Sequence, residues 1–83
     1  VSAYAYIQWA DVPATLAHKS RQRVDEATKQ QLVAFEGCPF AGELEQLAGG
    51  RLQVAFPFPI NADLRAQMVD WLLHWGISFT VIV

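Results

Sequence analysis

Cysteine is almost missing from this 83-residue sequence: Cys38 stands alone and has no partner for an internal disulfide. The chain is therefore not a disulfide-stapled scaffold, and a reducing cytoplasm is the expected compartment. Charge is scarce as well, at 17% of residues, with six basic against eight acidic side chains and a net charge of −2. A dedicated nucleic-acid binder, or a protein held on membranes by basic residues, needs a positive excess. Neither nucleic acid nor a membrane is expected as a partner. No apolar run approaches the roughly 20 residues that span a bilayer. The N-terminal residues also lack the basic and long apolar regions of a signal peptide.

Site-forming patterns are just as thin. Two well-separated histidines, His18 and His74, and one cysteine give no metal-ligand spacing, so no metal is expected. No glycine-rich turn opens a helix, so no phosphate-bearing cofactor is expected either.

What the chain has in quantity is apolar surface. Hydrophobic residues make up 53%, including Trp9, Trp71 and Trp75, which is high for one small domain spanning 1–83. Surplus apolar surface marks interfaces, and small domains gain stability by oligomerising. Homodimerisation is therefore the leading expectation for quaternary structure; a monomer with a large core is the plainer reading.

Residues 3–10 alternate and read as a strand, with Ile7 and Trp9 on one face beside Ala3 and Ala5, and with Tyr4, Tyr6 and Gln8 on the other. Asp11 followed by Pro13 reads as a helix start, and the helical region is expected to run to about Glu36, with a break allowed near Ser20. The opposite-charge pairs Arg21–Asp25 and Asp25–Lys29 support it at i,i+4 spacing. Gly37 and Pro39 then read as its stop. Residues 41–48 read as a second short helix ended by Gly49-Gly50.

Residues 51–56 alternate as a strand with Leu52, Val54 and Phe56 inward, ended by Pro57 and Pro59. Asn61 is a good N-cap, Asp63 suits the first turn, and Leu64, Met68, Trp71, Leu72 and Trp75 share one helical face before Gly76. Residues 77–83 form a last strand, nearly apolar on both faces. Such a strand is usually central in a sheet or covered at an interface.

The expected fold is α/β, in the order β-α-α-β-α-β: a three-stranded sheet with helices packed on it and at least one parallel βαβ unit over 51–83. The alternative is a ferredoxin-like βαββαβ domain, in which residues 32–36 form a strand paired with 51–56.

Each candidate site has a functional and a plainer reading. Cys38, His74 and Asp70 are the residue types of a nucleophile, its base and an orienting carboxylate. More plainly, Cys38 is a small apolar turn residue and His74 a cation at a helix C-terminus. Trp9, Asp11 and Phe58, with Phe56, are the residues expected to line a small-molecule pocket at strand ends, as in an enzyme or ligand binder; otherwise they cap the core. Lys19, Arg21 and Arg23 make a basic cluster with His18, and Glu36, Glu43 and Glu45 an acidic one. They read as complementary patches for a partner or a second copy, or as solvated helix faces. Tyr4 and Tyr6 suit a protein interface, because tyrosine buries area and keeps a polar tip. Together with Arg51, Gln53, Ser78 and Thr80 they would also make a base-stacking face.

The element order resembles that of barstar, the small inhibitor that neutralises a secreted ribonuclease inside the cell. The resemblance covers the whole chain in order only and rests on no motif. It implies an immunity or antitoxin-type inhibitor and assigns no residue. The sequence thus reads as a cytoplasmic, non-enzymatic protein acting by protein–protein interaction or homodimerisation, through Tyr4, Tyr6, Lys19, Arg21, Arg23, Glu43 and Glu45.

Overall fold

The computed structural model describes residues 3–83. Among them the elements follow the order β1 (Ala3–Gln8), α1 (Ala14–Lys19), β2 (Arg21–Val24), β3 (Gln31–Ala34), β4 (Gly42–Gln46), β5 (Leu52–Phe58), α2 (Ala62–Trp75) and β6 (Phe79–Ile82). All six strands join one sheet, in the order β2-β3-β4-β5-β1-β6, and every neighbouring pair is antiparallel. The protein mixes helix and strand, but the expected three-stranded sheet with a parallel βαβ unit is not present. β5 and β6 do run the same way, because each pairs antiparallel with β1, yet β1 lies between them and no parallel pair forms.

Residues 20–36 account for much of the difference. Helix α1 stops at Lys19, where the Ser20 hydroxyl and backbone N–H both donate to the Ala17 carbonyl. Asp11 does not cap it; Pro13 holds that position without a side-chain bond. The segment expected to continue as helix is instead the β2–β3 hairpin. Asp25 supports its turn rather than an ion pair: its carboxylate accepts from the Ala27 N–H at 2.9 Å, and its carbonyl from the Lys29 N–H at 2.7 Å. A single i→i+4 bond of this kind is one helical turn that goes no further. Residues 31–34 are a strand, as the ferredoxin-like alternative required, but they pair with β2 and β4 rather than with 51–56.

The second expected helix, 41–48, is strand β4. Glu43 and Glu45 point one way and Leu44 the other, a period of two. Gly49 and Gly50 turn the chain into β5 at φ of +78° and +79°, a backbone that other residues rarely adopt. Strand β5 continues through Pro57, which pairs with Tyr4. Pro57 lies beyond the last β4 pair, Glu43–Ala55, so its missing N–H removes no bond to β4. The element order behind the resemblance to barstar is therefore not the order of this chain.

The expected faces of β1, β5 and the last helix are found, except that β1 stops at Gln8 and Trp9 lies in a 3-10 turn, Trp9–Asp11, rather than in the strand. Ala5, Ile7, Val54 and Phe56 are buried, and Met68, Trp71 and Leu72 of α2 pack on them with Leu16 of α1 and Val33 of β3. The Asn61 side chain accepts from the Asp63 and Leu64 N–H groups at 2.9 and 3.1 Å. At the other end Gly76 is left-handed, and Gly76 and Ile77 donate to the Leu73 and Leu72 carbonyls, a paired C-terminal cap. Both helices therefore cover the same face of the sheet.

Candidate functional site

Among the described residues the opposite face carries no helix. Across it one row of side chains runs in register through all six strands: Arg23, Leu32, Glu43, Ala55, Tyr6 and Thr80. In a flanking row Arg21 pairs with Ala34, and Tyr4 with both Pro57 and Ile82. On the other flank Gln53 lies between Glu45 and Gln8. Strand alternation sends these residues to one side, because every second residue shares a face. Six of the seven expected interaction residues, Tyr4, Tyr6, Arg21, Arg23, Glu43 and Glu45, thus meet on one open surface. The sequence reading did not bring them together, since it placed the arginines and glutamates on helices.

Lys19 is the exception. It ends α1, and its Nζ lies 3.9 Å from Glu36 Oε2, with both side chains largely in water. Exposed pairs of this kind contribute about 0–1 kcal/mol. Arg23 and Glu43 are two strands apart, about 10 Å, and do not pair. The face is therefore ordered in charge: arginines on edge strand β2, glutamates on β4, tyrosines on β1.

The tyrosine rings are neighbours, with centroids 6.3 Å apart and planes tilted by 41°. Beside Tyr6 is a shallow hollow of about 580 Å³, lined by Gln8, Asp11, Glu45, Gln53, Ser78 and Thr80 among others. Gln53 Nε2 donates to Glu45 Oε1 at 2.8 Å and so fixes that carboxylate. The hollow has two acidic residues in its lining and no basic one. Arg51 lies outside it, in a smaller recess with Gln8 and Trp9.

The pocket expected from Trp9, Asp11 and Phe58 does not assemble. Phe58 pairs with Ala3 at one end of β1, whereas Trp9 and Asp11 follow Gln8 at the other, about 20 Å away. The expectation assumed parallel strands, whose C-terminal ends would lie together. Phe58 instead packs under Arg65, whose guanidinium carbon is 4.6 Å from the ring centre. Arg65 also donates from Nε to the Pro59 carbonyl and from Nη2 to the Phe58 carbonyl.

Cys38 is not brought to His74. Its Sγ packs 3.8 Å from Met68 Sδ, against the buried face of α2. His74 lies six residues beyond Met68, a rotation of about 600° that takes it off that face, and it is exposed, edge-on to Trp75. Burial pushes the Cys38 thiol up to about 11, only partly offset by the Phe40 backbone N–H bonded to it. A reactive cysteine needs the opposite shift.

Among the described residues no three His, Cys, Asp or Glu side chains are grouped as metal ligands, and no helix is long and apolar enough to cross a membrane. Compared with protein-family models, curated proteins and solved structures, the chain matches none in any of the three.

Proposed function

We propose that this chain is a non-catalytic, cytoplasmic binding protein whose open sheet face docks on another protein. The observation that carries the reading is the convergence of Tyr4, Tyr6, Arg21, Arg23, Glu43 and Glu45 on a face that its own helices leave bare. Tyrosine and arginine are the residue types that anchor interfaces. The charge order defines the partner's chemistry: an acidic group opposite β2, and a basic side chain opposite β4 and the acidic hollow. The raised Cys38 thiol and the separation of Cys38 from His74 favour binding over catalysis.

The test uses three forms of the chain as bait in native-host lysate: wild type, Tyr4→Ala/Tyr6→Ala, and Asp70→Asn on the exposed surface of α2. Circular dichroism first establishes that all three are folded. A protein retained by wild type and Asp70→Asn but lost with the tyrosine variant supports the reading. Equal retention by all three, or no retained protein, removes it.

A further inference from the structure

We infer that two copies of this chain associate by antiparallel pairing of their β6 edges, joining two open faces into one. The sheet order leaves two edge strands, β2 and β6. An edge presents unpaired backbone N–H and C=O groups, and proteins block it with charge, proline, bulges or a covering segment. β2 is blocked in this way by Arg21 and Arg23, both exposed. Pairing β2 with its own copy would bring four arginines together.

Shortness is another such guard, and β6 shares it with β2, at four residues each. From Trp75 to Val83 there is no charged residue and no proline. The pairing of β6 with β1 runs through four consecutive residues without a bulge. After the exposed Thr80 the strand ends in an apolar run on both faces: Val81, Ile82 and the following Val83 are 38%, 57% and 87% exposed. The composition is that of a strand covered on both faces, yet its position is an edge. An interface along this edge would give the strand the cover that its composition suits.

A second copy fits that edge on charge and symmetry. A two-fold axis normal to the sheet sets β6 against itself, so each residue meets a neutral one and the contact closes at two. The hollow beside Tyr6 is bounded on its edge side by Ser78, Thr80 and Ile82. The second copy's β6 therefore forms its outer wall. The two tyrosine pairs would then lie three strand spacings apart, about 14 Å, with arginines at both far edges of a twelve-stranded face. This inference does not rest on the protein-docking reading, and either can fail alone.

Light scattering on a sizing column over a hundredfold dilution tests it, with amide hydrogen exchange at both concentration limits. The expected mass is about twice 9.3 kDa at high concentration, falling towards 9.3 kDa on dilution. Amides of β6 should exchange more slowly in the concentrated sample, while those of β2 stay unchanged. Ile82→Lys, at an exposed position, should weaken the dimer about tenfold or more, since it sets two cations in one seam. Tyr4→Ala/Tyr6→Ala should still dimerise. A monomer throughout, a species larger than two, or unchanged β6 exchange in a dimer would each overturn the inference. So would an undiminished Ile82→Lys dimer. Should Ile82→Lys not fold, the wild-type exchange pattern alone decides between the edge and the open face.

Discussion

Trp71 donates its indole N–H to the backbone carbonyl of Glu36 at 3.0 Å. The bond ties α2 to the chain just past β3, across 35 positions of sequence. The same ring packs against Phe35, with centroids 5.5 Å apart, and meets Phe56 edge-on at 6.2 Å. One side chain thus links the helix to β5 and to the segment just past β3, through a directed bond and two aromatic contacts.

Trp71→Phe keeps an aromatic ring and removes the donor. The Glu36 carbonyl then loses its partner, and the smaller ring leaves space. The expected cost is about 1–3 kcal/mol, read as a lower urea midpoint at unchanged slope. A change below about 0.5 kcal/mol would show that solvent or relaxation replaces the bond.

Gly42 is required for space rather than for conformation. A Cβ there would overlap Val54 Cγ1 and lie 2.9 Å from Phe56 Cε1, both fully buried. Gly42→Ala should destabilise by about 1–3 kcal/mol, the range for overpacking a filled core. Thermal unfolding checks it. Val54→Ala in the same chain should recover part of the loss, and strictly additive effects would contradict direct crowding.

Cys38 gives a pH signature. Its folded pKa, about 11, exceeds the ordinary 9.0, so the folded state holds the proton more tightly than the unfolded state does. The resulting stabilisation is complete below pH 9 and is lost as pH rises through 11. In denaturation series from pH 8 to 11, the wild-type advantage over Cys38→Ala should shrink across that window. A thiol reagent at pH 8 should label the native protein slowly and the unfolded chain at the free-thiol rate. Rapid native labelling would contradict the shielding of this partly buried thiol.

The parts legible in the sequence are those with local causes. The alternation of β1 and β5 states which face is buried. Asn61, the five-residue apolar stripe and Gly76 fix both ends and the inner face of α2. The parts misread are strands of four or five residues. Arg21–Val24 is wholly exposed, so no buried face marks its period. The i,i+4 charges around Asp25 suggest helix as strongly as its turn bonds suggest a hairpin. Glu43, Leu44 and Glu45 are too few to separate a period of two from a helical turn.

The site divides in the same way. Alternation in the first strand singled out Tyr4 and Tyr6 as interaction residues, and charge segregation along the chain Lys19, Arg21, Arg23, Glu43 and Glu45; all but Lys19 reach the open face. That these share one face depends on five antiparallel pairings: three join consecutive strands, and two bring β1 between the distant β5 and β6. Local pattern sets whether a side chain points in or out of its strand. It carries no information on which strand lies next, because backbone hydrogen bonds are alike at every residue and the choice is made by packing the whole core. By itself the sequence determined the apolar core, the capped helix and the uncharged last strand. Only the tertiary structure placed that strand at an edge, kept both helices to one face and left the other open.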